Sequence, residues 1–364
     1  MYYELNNKFG CFKCFIDNIN NINKVIKKPN EVNYIQIDII DIIDIIYTIF
    51  DFKEFVNLKS INFECINLIE LPNLSNCVNL QYLICYYNNL TELPDLSNNN
   101  KLVSISLNGN KLTKLPELSK LINLSYLSFS ENKLTQLPEL SNCVNLTFLD
   151  FSFNNIKEFI DISYLTKLTI LYCDGNNLTK LPYLTTLIKL NVLHCNDNKL
   201  KELPDLSNCV NLKTLNCSSN KLEIITNLLK LKKLKKLICI NNKLTELPDL
   251  SNCDNLKMLY CSNNKLKKLP DLSKLKKLKE LNCNNNQLTQ LPNLSKLKKL
   301  KILQCKNNLF ITLSKDITQC KKLINYRKYN KYIYLVKLTL ILNKITETYY
   351  YLHIIKYYNS LYLI

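Results

Sequence analysis

The chain of 364 residues has no tryptophan, three glycines and two histidines; alanine is absent and Arg327 is the single arginine. Each scarcity removes a class of chemistry. Glycine lets backbone approach a phosphate or turn with positive φ. Gly10, Gly109 and Gly175 are too scattered to build a P-loop, a dinucleotide fingerprint or a nucleophile elbow. One arginine argues against sequence-specific base readout, which relies on bidentate guanidinium contacts. Long apolar runs are also missing. The stretch 35–52 is broken by Asp38, Asp41 and Asp44, and the C-terminal one by Lys337 and Lys344, so neither supplies the ~20 apolar residues of a membrane span. Residues 1–8 show no basic start followed by an apolar segment, so no secretory signal is expected. The missing alanine, beside heavy use of Asn, Lys, Ile and Leu, fits the codon bias of an A+T-rich genome.

What is present is periodic. From Leu80 the pattern L-x-x-L-x-(C/L/F)-x-x-N-x-(L/I/F) recurs every 22 residues. Its asparagine falls at Asn88, Asn110, Asn132, Asn154, Asn176, Asn198, Asn220, Asn242, Asn264, Asn286 and Asn308. Nine of the ten prolines share one phase, from Pro72 to Pro292, always after leucine. Within each unit the strand stretch alternates with period two, as in Leu193-His194-Cys195, so one face is buried and the other presented. The Leu-Pro step removes a backbone donor and fixes φ, which predicts an extended, turn-like or short 3₁₀ return instead of a long helix. Stacking such units buries a continuous apolar column that no single unit forms. Each asparagine is expected at the turn after its strand, buried, with its amide satisfying backbone groups.

The repeat resembles the leucine-rich-repeat family, whose pattern L-x-x-L-x-L-x-x-N/C-x-L is matched across residues 58 to 310. The resemblance implies an α/β solenoid, a right-handed superhelix with one short parallel strand per repeat. It also implies a non-enzymatic scaffold that binds proteins along the concave, strand-lined face. The expected organisation is an N-terminal cap at 1–57, about twelve repeats at 58–323, the first degenerate with Ile66 at the asparagine position, and a C-terminal cap at 324–364.

Sixteen cysteines in a chain with no export signal point to reduced thiols in an intracellular, cytoplasmic setting. Eight, from Cys85 to Cys305, occupy the second inward strand position, where other units carry Leu107, Phe129 or Phe151. Cys77, Cys143, Cys209, Cys253 and Cys320 share a second phase with Leu121 and Leu275. Exchange with leucine and phenylalanine marks them as small buried hydrophobes. Cys11 and Cys14 form a C-x-x-C outside the repeats, but no second pair has zinc spacing, so no metal or other cofactor is expected. Sequons such as Asn89-Leu90-Thr91 arise from the repeat itself and carry little weight for secretion.

Function in a solenoid is read from the outward positions. Tyr82, Tyr86, Tyr126, Phe148, Asp150, Tyr172, Asp174, His194, Asp197 and Tyr260 put aromatic anchors among acidic groups, the composition of a protein-binding face. Asp150, Tyr172, Asp174, His194 and Asp197 come from three neighbouring strands, yet catalysis would also need a pocket and a nucleophile or metal.

The formal charge of +18 is unevenly placed. Residues 1–220 hold 19 basic and 22 acidic side chains, whereas residues 221–308 hold 20 basic and 6 acidic. Lys213, Lys235, Lys257, Lys279 and Lys301 form one column of like charges, and Lys199, Lys221, Lys243 and Lys265 another on the opposite rim. Two readings follow: a footprint for an acidic partner or nucleic acid, or a solvated surface supplied by A+T-rich codons. The stretch 326–337, which interleaves tyrosine with basic residues, reads foremost as core packing of a cap and secondarily as a base-stacking segment.

Overall fold

The structure, a computed structural model, describes residues 2–6, 11–15, 29–38, 52–225 and 228–310. Its strands form one 15-stranded sheet in sequence order. The first three are β1 (Tyr2–Asn6), β2 (Cys11–Phe15) and β3 (Tyr34–Asp38). Twelve three-residue strands follow at 22-residue intervals: β4 (Ser60–Asn62), β5 (Tyr82–Ile84), β6 (Ser104–Ser106), β7 (Tyr126–Ser128), β8 (Phe148–Asp150), β9 (Ile170–Tyr172), β10 (Val192–His194), β11 (Thr214–Asn216), β12 (Lys236–Ile238), β13 (Met258–Tyr260), β14 (Glu280–Asn282) and β15 (Ile302–Gln304). All neighbours pair in parallel except β1 and β2, which are antiparallel. The sheet thus runs on into the segment expected to cap the repeats, through β2 and β3, although that segment lacks the 22-residue period. The side chains of Cys11 and Cys14, and all of residues 311–364, including Cys320 and the 326–337 stretch, lie outside the described residues.

Every repeat strand buries its central residue, and all but β7, whose third residue Ser128 is also buried, present both ends. The central residues, such as Leu83, Leu149, Leu193 and Leu237, are fully buried, as are Leu80, Leu90 and Leu96 from the flanking segments. At about 1.5–3 kcal/mol for each buried leucine, this column is the main source of stability. The chain returns through two successive turns, closed for example by Cys77 N–H to Leu74 O (2.9 Å) and Leu80 N–H to Cys77 O (3.0 Å). No α-helix occurs among the described residues.

Asparagine ties one repeat to the one before. Asn110 Oδ1 accepts from Leu90 N (3.0 Å), while its Nδ2 donates to Cys85 O (2.9 Å) and Leu107 O (2.9 Å). The same set recurs from Asn88 to Asn308; eight of these asparagines are buried, and Asn220, Asn242 and Asn308 are partly so. Cysteine does similar work more weakly. The Sγ of Cys173 donates to His194 O (3.2 Å) on the next strand, and that of Cys209 to Leu184 O (3.5 Å) on the preceding return segment. Thiols in both columns therefore fill core volume and reach a carbonyl that leucine would not. All thirteen described cysteines are free; Cys65 is exposed and the other twelve are buried.

The residue before each ladder asparagine has positive φ. Glycine fills this position only at Gly109 and Gly175, while Tyr87, Glu131, Phe153, Asp197, Ser219, Asn241, Asn263, Asn285 and Asn307 adopt it without glycine. Both glycines follow an aromatic one repeat earlier: a Cβ on Gly109 would stand 2.4 Å from the Tyr87 ring, and one on Gly175 2.4 Å from the Phe153 ring. The glycines make room for those rings.

Candidate functional site

The third residue of each repeat strand lies on the outward face because the second is held in the core, and all but the buried Ser128 of β7 reach solvent. Parallel pairing sets Asp150 beside Tyr172, and Tyr172 beside His194. The first strand position supplies Tyr126 and Phe148, also paired. These side chains make a continuous row. Tyr126 stacks on Phe148 (centroids 4.4 Å apart, 11° between planes), Phe148 meets Tyr172 edge-on (5.6 Å), and Tyr172 lies against His194 (4.8 Å). All four are half-buried, so the rings hold one another while the row stays partly open to solvent.

Polar groups fix the row from below. Asp150 accepts from Ser152 N (3.0 Å) and from Ser128 Oγ (3.3 Å). Asp174, 8% exposed, accepts from Asn196 N (3.0 Å), and its Oδ2 lies 3.7 Å from His194 Nδ1. The separation is that of an ion pair, but the environment opposes charge. Burial pushes the Asp174 carboxyl up to about 7, with Asp150 and Asp197 adding to the rise against the hydrogen bond from Asn196. Burial, then Lys236, lowers His194 below 6.5 against the pull of Asp150. Near pH 7 the imidazole is therefore mainly neutral and the carboxyl about half ionised, so the contact falls short of a full ion pair.

The linkage has opposite signs for the two groups. Between pH ~4 and ~7 the folded chain keeps the Asp174 proton that the unfolded chain has lost, so this contribution falls as pH rises. For His194 the unfolded chain takes up the proton first, so its contribution falls as pH drops below 6.5.

The remaining expected residues are dispersed. Asp197 sits in the turn beyond β10, exposed, and accepts from Asn196 Nδ2 (2.7 Å). Tyr82 is exposed on β5, and Tyr86 donates to Glu64, a bond that with burial pushes its hydroxyl up to about 12. Tyr260 lies three strands past His194; it donates to Glu280, and burial followed by that bond pushes it up to about 12. Among the described residues, no group of three or more His, Cys, Asp or Glu is arranged to hold a metal ion.

The lysines divide into engaged and free. On the return side, Lys101, Lys167, Lys233 and Lys277 each donate to an asparagine one repeat earlier, Asn79, Asn145, Asn211 and Asn255. The sequence signal for these partnerships is the Asn that stands 22 residues before each Lys. The strand-edge lysines differ. Backbone hydrogen bonds link Lys213, Lys235, Lys257, Lys279 and Lys301 in register, Lys235 N to Lys213 O (2.8 Å) through Lys301 N to Lys279 O (2.7 Å). Among the described residues none of their ammonium groups has an ion-pair or hydrogen-bond partner.

A parallel solenoid with one strand per 22 residues, a buried asparagine column and a chemically varied strand face defines a repeat scaffold of the kind generally used for protein interaction. The chain belongs to the leucine-rich-repeat family. The family pattern described as Leucine Rich repeats (2 copies) matches residues 78–120 and 232–274. YopM, a leucine-rich effector protein from Yersinia pestis, is 31% identical, with a TM-score of 0.60 over 72% of this chain and 75% of that one. The functional domain of internalin J from Listeria monocytogenes, which includes a cysteine ladder, is 33% identical with a TM-score of 0.68; the match covers 74% of this chain but 58% of that one. A leucine-rich-repeat protein of Leptospira interrogans is 27% identical, with a TM-score of 0.61 over 85% of this chain and 93% of that one. No curated protein matches the sequence. No helix among the described residues is long and apolar enough to cross a membrane.

Proposed function

We propose that the chain is a non-enzymatic intracellular scaffold that receives a protein partner on its strand face, centred on Tyr126, Phe148, Asp150, Tyr172, Asp174 and His194. The observation that carries this reading is the unbroken aromatic row across β7 to β10. Rings already stacked on one another lose little freedom on binding, and buried aromatic anchors dominate interface energetics. Asp150 and Asp174, each tied to backbone N–H groups, add acceptors whose positions are set in advance. Tyr82, Tyr86, Asp197 and Tyr260 then belong to the rim or to neighbouring surface. The intracellular setting rests on the free thiols.

The test is partner capture from the native host cell by the wild-type chain and by a variant carrying Tyr172→Ala and His194→Ala. The proposal expects at least one partner to be lost at least tenfold with the fold intact by circular dichroism. Unchanged capture of every partner removes this site.

A further inference from the structure

The strand-edge column that contains the free lysines begins well before them. The same backbone ladder starts at Lys59, runs through Gln81, Val103, Ser125, Thr147, Thr169 and Asn191, all six uncharged, and becomes an unbroken run of lysine from Lys213. In the uncharged part, Ser125 Oγ, Thr147 Oγ1 and Thr169 Oγ1 donate back to the preceding carbonyl of the column. From Lys213 onward these closed contacts give way to five ammonium groups without partners among the described residues. A second column, Lys221, Lys243 and Lys265, exposed and equally in register, lines the other rim. Between the rims the strand and turn positions offer Asn216, Tyr260, Asn282, Gln304 and Asn284, with Glu280 as the single strand carboxylate, held by Tyr260.

We propose that the face of β11 to β15, between these two lysine rims, binds the phosphate backbone of a single-stranded nucleic acid lying across the strands. Lysines stand every ~4.8 Å along the sheet, the spacing of neighbouring strands. A B-form strand, with a phosphate every ~3.4 Å of helix axis, winds around that axis, so its phosphates turn away from a straight lysine column within a few rungs. An unstacked single strand adjusts its spacing. Lysine supplies point charges without the planar fork that reads base edges, and the amide-rich floor hydrogen-bonds sugars and bases without selecting a sequence. The single tyrosine of this face, Tyr260, is engaged by Glu280 and gives little stacking, so charge carries the interaction. This site is independent of the aromatic row.

The experiment measures anisotropy of a labelled oligothymidylate of about 20 nucleotides with the full chain at rising salt. Five neutralised phosphates give a slope of about −3.5 in log affinity against log salt, a loss of roughly a hundredfold between about 50 and 200 mM. In the variant with Lys235→Gln, Lys257→Gln and Lys279→Gln the slope falls to about −1.4. A control with Lys274→Gln, Lys276→Gln and Lys298→Gln, exposed on the return side, keeps the wild-type slope. Equal weakening by both triples shows a net-charge effect and overturns the proposal. So does tighter binding of the matching duplex, displacement by polyglutamate at equal charge concentration, or no binding at about 50 mM salt.

Discussion

Replacing Asn198 by alanine tests what holds the repeats in register. Asn198 Oδ1 accepts from Leu178 N (3.0 Å), and its Nδ2 donates to Cys173 O (2.9 Å) and Cys195 O (3.3 Å). Alanine leaves the Leu178 N–H, which belongs to a fully buried residue, without its acceptor, at a cost of about 1–3 kcal/mol. The two carbonyls keep a donor each, Cys173 O from Asn176 Nδ2 (3.4 Å) and Cys195 O from Asn220 Nδ2 (2.9 Å), so each loses only a net ~1 kcal/mol. The expected loss is about 3–5 kcal/mol. An exposed asparagine is the control: Asn123 donates to Asn100 O (3.0 Å) in solvent, and its alanine variant should lose about 0.5–1 kcal/mol. Urea unfolding gives the global change. Because repeat arrays open locally, hydrogen exchange at Leu178 gives the local one. A change below ~1 kcal/mol, or a Leu178 amide as protected as in the wild type, would refute the structural role of the ladder.

Thiol titration of the native chain with a neutral disulfide reagent at pH 8 should modify Cys65 alone among the described cysteines, because burial pushes Cys217 and Cys261 up to about 12 and Cys143, Cys209, Cys253 and Cys305 to about 11. Rapid modification of any of the other twelve before unfolding contradicts the packing. Asp174→Asn should raise the urea midpoint at pH 8, by up to about 4 kcal/mol of stability, and change it little at pH 4, since the buried carboxyl titrates near 7 in the folded chain. An equal effect at both pH values would show that burial does not hold the proton.

The regular parts of this molecule were legible in the sequence because two periods coincide there. Alternation within the strand places Leu193 and Cys195 in the core, and the 22-residue spacing places Asn198 beneath them, so residue identity and position carry the same message. Other features lacked that agreement. The positive-φ turn accepts tyrosine, glutamate, serine and asparagine, since the asparagine ladder and the turn bonds fix the backbone whatever the side chain, and its phase is invisible in composition. β2 and β3 join the sheet without the repeat spacing, at offsets of 23 and 26 residues to the next strand. On the strand face, sequence named ten residues as one site. The structure joins Tyr126, Phe148, Tyr172 and His194 through ring contacts and leaves Tyr82, Tyr86 and Tyr260 strands away, because adjacency there depends on rung number more than on residue type.

The two proposed sites meet at one boundary. The aromatic row ends at His194 on β10, and the lysine column begins at Lys213, immediately before β11. In a solenoid each repeat packs on its neighbours alone, so outward residues of β7 to β10 and of β11 to β15 change with little effect on one another's folding. Hydrophobic contact at the first site is nearly insensitive to salt, whereas phosphate binding at the second weakens steeply with it. A partner held by the aromatic row therefore stays bound as salt rises through a range that strips nucleic acid from the lysine rims. The two interactions can be separated on the intact chain by ionic strength alone.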